Sequence, residues 1–260
     1  MTVTRRWKLA IVALVVYWPT LFILAHIPIP GKVRDAGVSD KVLHFLAYLI
    51  LVFLFWIVLN PNRKVCWRKA AAWLVLLAML VYGIMDELLQ GYWGRSCDVM
   101  DLVADLAGVF AGLILLTFFT VRPAAVIICG ATIFGMTNVA RVKLADYVPV
   151  ANAIFHLFSY AVFTLLWINC MVPRGRFDSL KPPWGRWPAP RWIAAALALP
   201  TVMLLVTKGY SIALGKEFPV QDIILAVAGI AAVVGAVSAA VLLRQSTAQA
   251  PGPPGGESDD

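Results

Sequence analysis

The sequence predicts an all-α fold, a polytopic transmembrane helix bundle of about eight helices built as two parallel four-helix repeats. Three observations carry this expectation. Of 260 residues, 61% are hydrophobic and only 14% charged, with a mean hydropathy of +0.82; a water-soluble domain runs at about 45–50% apolar with about 25% charge. The apolar residues gather into runs near the roughly 20 residues that a helix needs to cross a bilayer. Finally, several polar residues of the first half recur at constant offset in the second. A large soluble domain is excluded, and any chemistry belongs in or against the membrane.

The runs, taken in order between charged borders, predict helices over 8–26, 42–59, 70–90, 99–120, 123–140, 151–172, 191–207 and 219–243. The first follows Arg5, Arg6 and Lys8. It is too long for a signal-peptide core, and no small-x-small site precedes the Ile-Pro-Ile-Pro-Gly turn at 27–31, so it is expected to stay as a helix. Residues 1–122 make the first four-helix unit and 123–245 the second. Residues 246–260 are a polar Pro/Gly/acid tail with no means of building a core.

Basic residues set the orientation. Fourteen of the 22 Lys and Arg lie at the amino terminus, on the even-numbered loops or at Arg244; eight lie on the other side (Lys32, Arg34, Lys41, Arg95, Arg141, Lys143, Lys208 and Lys216). By the positive-inside rule both termini are cytoplasmic. Trp7, Trp56, Trp67, Trp73, Trp167, Trp184, Trp187 and Trp192 fall near the basic ends, where interfacial anchors belong. The net charge of +8 therefore reports topology and not nucleic acid, for which no stacking platform or groove-reading helix is present. Acids divide the other way. Ten of fourteen, from Asp35 to Asp222, sit at outer loops or outer helix ends, and because acids have little say in topology their clustering points to a site that opens outward. The four cysteines form no pair on the oxidising side, so no disulfide is expected. Metal spacing of the Cys/His kind is absent as well.

The repeat rests on two alignments. Asp40 to Tyr48 (DKVLHFLAY) lies over Asn152 to Tyr160 (NAIFHLFSY), keeping His44/His156 and Tyr48/Tyr160. Gly94, Arg95, Asp101 and Gly108 match Gly215, Lys216, Asp222 and Gly229. The second copy loses Asp86, Glu87 and Gln90 to Thr207, Lys208 and Ser211, and Asp40 and Lys41 to Asn152 and Ala153. The first half is thus expected to be the working unit and the second its structural partner.

The polar residues of the first half form a constellation. Asp86 and Glu87 end the third helix, with Gln90 one turn on, so both acids converge with the amide on one flank. The fourth helix carries Asp98, Asp101 and Asp105, then Gly108 and Gly112, a spacing that lets another helix approach closely. Asp105 lies about 6 Å deeper than Asp101 by helical rise and needs a partner at that depth. His44, one turn inside the second helix and flanked by Lys41 and Tyr48, can meet this cluster because short connections make helices two to four neighbours. An imidazole beside carboxylates serves as a general base or nucleophile, and the fork of Arg95 suits phosphate. The plainer reading is that terminal acids cap helices and pair with loop cations, that His44 bonds across the bundle, that Tyr48, Tyr82 and Tyr92 are interface anchors, and that Asp98 is a solvated helix start. It weighs least on Asp86 and Glu87, because adjacent acids repel.

These motifs, D-K-x-x-H-F-x-x-Y from Asp40 to Tyr48, D-E-x-x-Q from Asp86 to Gln90, Arg95, and D-x-x-A-D-x-x-G-x-x-x-G from Asp101 to Gly112, resemble the VanZ-like family of small bacterial integral membrane proteins. The family usually has asparagine where this chain has Asp105. The resemblance implies a multi-pass protein of the bacterial cell membrane and envelope, whose namesake is associated with low-level resistance to the glycopeptide teicoplanin. It also implies kinship with membrane enzymes that exchange phosphate-linked head groups on lipids.

Two functions are expected from these readings. In the first, the chain is an enzyme acting in the outer leaflet on a lipid phosphate or a polyprenyl-linked cell-wall precursor. His44 is base or nucleophile, one of Asp86 and Glu87 orients the imidazole while the other holds a proton or a divalent cation, and Lys41, Gln90, Arg95 and Asp101 bind substrate. In the second, it is a non-enzymatic protein that binds an anionic head group or glycopeptide-like ligand. A transporter is disfavoured by the lack of a charge near any helix midplane.

Overall fold

The computed structural model describes residues 5–26, 40–61, 63–93, 98–139, 149–172, 189–215 and 219–248. They are all helix and short turn: α1 (Arg5–His26), α2 (Asp40–Leu59), α3 (Ala70–Tyr92), α4 (Val99–Phe118), α5 (Val121–Phe134), α6 (Pro149–Met171), α7 (Ala189–Ala213) and α8 (Val220–Ala248). All eight are long and apolar enough to cross a membrane, α5 together with the π turn Gly135–Val139 that continues it. The all-α class and the eight membrane-length helices are as expected, and most helix ends fall within a few residues of the apolar runs. Larger shifts occur where polar residues extend a helix: α7 runs on past 207 to Ala213, and α8 to Ala248, so residues 246–248 of the expected tail are helical. The rest of that tail lies outside the described residues.

By packing, the chain divides into one compact unit of Met1–Asn152 with Val206–Phe218, and another of Ala153–Leu205 with Pro219–Asp260. In the first, α2 and α4 are the closest pair. Their approach is a matter of glycine: a Cβ on Gly108 would collide with the carbonyl oxygen of Phe45 and stand 3.0 Å from the amide nitrogen of Leu49. One turn on, Gly112 lies against Val52 and Leu49. Around this contact Leu46, Leu49, Leu51, Val52, Val109, Leu113 and Leu116 close the core, with Val75 and Met79 of α3 and Ala124 of α5. Outward-facing residues such as Val12, Val16, Leu74, Leu77 and Leu88 are exposed and apolar. In water that would be costly, but lipid tails are as apolar as leucine, and packing rather than water exclusion decides which helices meet.

The two ends of this unit differ in chemistry. At one end tryptophans and a lysine tie helix ends to peptide groups: Trp7 Nε1 donates to Val58 O at 3.0 Å, Trp56 Nε1 to Arg63 O at 2.9 Å, Trp67 Nε1 to Thr117 Oγ1 at 3.0 Å and Lys64 Nζ to Phe118 O at 2.6 Å. Amphipathic rings with one polar atom suit the bilayer interface. The acids gather at the other end, which holds the end of α1, the start of α2, the end of α3 and the start of α4. In the second unit Ile168, Val172, Trp192, Ala196 and Val234 pack together, and Trp167 Nε1 donates to Ala195 O at 2.9 Å.

Replacing Gly108 with alanine should cost about 1–3 kcal/mol, because the added methyl meets backbone that can only move by separating the helices. Gly209→Ala, where a Cβ meets nothing within 4 Å, should be neutral or stabilising by about 0.5–1 kcal/mol. Thermal unfolding of the purified protein in one detergent compares the two.

Candidate functional site

α4 starts with Asp98, whose Oδ1 accepts the Met100 amide at 2.9 Å, a side-chain cap on a helix start. Its Oδ2 accepts from Lys41 Nζ at 2.8 Å, and Lys41 also donates to Asp101 Oδ1 at 3.2 Å. The Lys41 contact, and after it the Met100 amide, hold the Asp98 carboxyl below its ordinary range. The backbone N–H of Asp98 donates to Glu87 Oε2 at 3.1 Å, which ties the end of α3 to the start of α4. Gln90 Nε2 donates to Asp86 Oδ2 at 3.0 Å one turn away on the same helix. His26, at the end of α1, brings Nε2 to 3.9 Å from Asp86 Oδ1, its ring packed on Phe22 and Trp93.

Deeper in the bundle, His44 Nδ1 lies 2.9 Å from Asp105 Oδ1. With Asp105 ionised, its carboxylate accepts from Nδ1–H, and the neutral ring then carries its lone pair on Nε2. That nitrogen points to the rim, 3.9 Å from both Asp40 Oδ1 and Asp101 Oδ2. Asp105 is fully buried, and His44, Asp86, Glu87, Gln90 and Asp101 are nearly so. Carboxylates at such low exposure persist only with hydrogen bonds or opposite charge beside them. Among the described residues, two groups have the spacing to hold a metal ion, Asp40–His44–Asp101 and His44–Glu87–Asp105, each with one ligand atom per residue within 4.8 Å of the others.

The structure thus brings Lys41, His44, Asp86, Glu87, Gln90 and Asp101 to one end of the first unit. Arg95 and Cys97 lie outside the described residues. The group bonded to the imidazole is Asp105, in place of the expected Asp86 or Glu87. Asp105 reaches it because its position a turn below Asp101 matches that of His44 a turn below Asp40. The depth of Asp105 was the signal in the sequence, and its partner is the histidine at equal depth on the neighbouring helix. His26 had no signal: it ends an apolar run and reaches Asp86 only through the packing of α1. Tyr48 is not an interface anchor, being 2% exposed and in ring contact with Tyr82. Tyr92 is 84% exposed, as a surface tyrosine should be.

Residues 8–120 match the family model described as VanZ/LLP1. This stretch is similar to the VanZ/LLP1 family. It runs from the start of α1 to the end of α4 and so contains every residue of the cluster just described. No curated protein and no solved structure matches the chain. Beyond the VanZ/LLP1 stretch, the second unit has its own buried pair, His156 Nε2 at 3.5 Å from Asp222 Oδ2. There a Cβ on Gly229 would collide with the carbonyl oxygen of Leu157.

The His44–Asp105 bond should show in a double-mutant cycle on stability. His44→Ala, Asp105→Ala and the double variant are expected to give a coupling of about 1.5–3 kcal/mol, the range for a hydrogen bond to a charged group. Additive losses would show that the two side chains do not interact.

Proposed function

We propose that the chain is a membrane enzyme acting on a phosphate-containing lipid head group, or on a lipid-linked cell-wall precursor, in the outer leaflet. The observation that carries this reading is the buried Asp105–His44 pair, which leaves a basic imidazole nitrogen turned toward the rim. A ring held by a carboxylate at one nitrogen and free to take a proton at the other is the arrangement of a general base or nucleophile. As base, His44 Nε2 takes the proton of an incoming hydroxyl whose oxygen attacks phosphorus. The bond from phosphorus to the leaving head-group oxygen then breaks, and that oxygen receives the proton. Arg95 and Lys41 hold the phosphate. Asp86, Glu87, Gln90 and Asp101 accept from, or donate to, the hydroxyl and amino groups of the head group.

In this reading both termini are cytoplasmic, as the distribution of Lys and Arg favours, and the cluster faces outward. The second half of the sequence is a copy of the first that kept the helix contact and lost the helix-end pair of carboxylates. Two alignments support the copy: His44 with Asp101 corresponds to His156 with Asp222, and Gly108 on Phe45 corresponds to Gly229 on Leu157. A second reading is a protein that binds an anionic head group or a glycopeptide-like ligand without turning it over. In its favour, Lys41 is already engaged by Asp98 and Asp101, which suits a fixed recognition surface.

Mass spectrometry of lipids and lipid-linked precursors from cells expressing wild type, His44→Ala or Glu87→Gln separates the readings. The enzyme reading expects a product pool that falls by about 100-fold or more with His44→Ala, the lower range for a lost acid–base group. Identical profiles in wild type and His44→Ala overturn it. An unchanged pool together with ligand retention that is lost only with Arg95→Ala supports the binder.

A further inference from the structure

The deep part of the cluster holds more acceptor oxygen than the described residues satisfy. Glu87 uses Oε2 to accept the Asp98 amide, while its Oε1 is buried with no hydrogen-bond partner. Asp105 uses Oδ1 for His44, while its Oδ2 is likewise buried and unpartnered. The Tyr48 hydroxyl, on a side chain 2% exposed, has no partner either. Tyr48 Oη and Asp105 Oδ2 border the same spot, since a Cβ on Gly83 would stand 3.6 Å from the first and 3.7 Å from the second. Ligand atoms of Glu87, Asp105 and His44 all lie within 4.8 Å of one another.

Buried oxygens without donors are costly, by about 1–3 kcal/mol each and more when charged. A proton, a water or a cation relieves them. Two carboxylates within a few ångströms favour positive charge between them, and Lys41 is bound higher up, at Asp98 and Asp101. Ligand spacing agrees with a hard ion: metal–oxygen bonds of about 2.0–2.4 Å put neighbouring ligand atoms about 3 Å apart and opposite ones about 4–5 Å apart.

We propose that Glu87 and Asp105 bind a divalent cation of the hard, oxygen-preferring class, Mg²⁺, Mn²⁺ or Ca²⁺, with the Tyr48 hydroxyl beside it. Asp105 then bridges the ion and the imidazole, and Glu87 bridges the ion and the start of α4. The binding is independent of any lipid chemistry. Its use rests on the phosphate reading, because a phosphate entering among buried carboxylates is repelled unless positive charge lies between them.

The test is a Mn²⁺ titration of the full chain, stripped with chelator and held in lipid nanodiscs, followed by loss of the free-ion electron paramagnetic resonance signal. Wild type should take up one Mn²⁺ saturably and release it to excess Mg²⁺ or Ca²⁺. Glu87→Gln and Glu87→Asp should bind at least about tenfold more weakly, and Asp222→Asn, in the second unit, should bind as wild type. No saturable uptake by wild type below about 1 mM overturns the site whether or not the variants fold. Equal affinity in wild type and Glu87→Gln overturns it too. Because the readout needs no turnover, metal binding without a change in lipid profiles would retain the site and remove the enzyme reading.

Discussion

The polar site depends on how closely two helix backbones approach. Gly108 lets α4 rest on the carbonyl of Phe45, the residue after His44, and Asp105 stands three residues before Gly108. At any wider separation the imidazole and the carboxylate could not reach the 2.9 Å that the structure shows. A glycine with no functional group thus sets the geometry of two residues that have one, through steric contact alone. Hydrogen bonding then makes the register unique, because a slip along α2 would leave a buried carboxylate and a buried imidazole each without its partner.

The cluster is graded in depth. At the rim Lys41 bridges Asp98 and the nearly buried Asp101; its half-exposed contact with Asp98 is screened by water and salt and does little for stability. One turn down, the same kinds of group are almost fully enclosed and every hydrogen bond is worth more. The rim can therefore exchange partners with a charged ligand at little cost, while the floor holds the His44 ring in one orientation. Tyr48 and Tyr82 continue this floor into the apolar core, which excludes water from beneath the imidazole.

The two ends of the first unit have separate tasks. Tryptophan N–H groups and Lys64 cap carbonyls at one end, fixing helix ends against an interface, and the other end gathers acids. A bundle anchored at one surface can leave polar groups at the opposite surface incompletely paired without losing its fold, because the apolar core between α2 and α4 supplies the packing. The second unit repeats the glycine contact and one histidine–aspartate pair, whereas Thr207, Lys208 and Ser211, at the sequence positions that correspond to the helix-end acids, fall in the first unit.

The number of membrane-length helices, most of their limits and the gathering of Lys41, His44, Asp86, Glu87, Gln90 and Asp101 at one end were legible in the sequence, because hydrophobic run length and the spacing of polar residues along one helix are local properties. That Asp105 and His44 would lie at matching depth was implicit in their positions one turn inside neighbouring helices. Tertiary structure decided which acid meets the imidazole, that Tyr48 faces inward, and that His26 approaches Asp86. Each of these follows from the rotation and separation of whole helices, which arise from side-chain packing between segments distant in sequence, and no periodicity within a single segment records them.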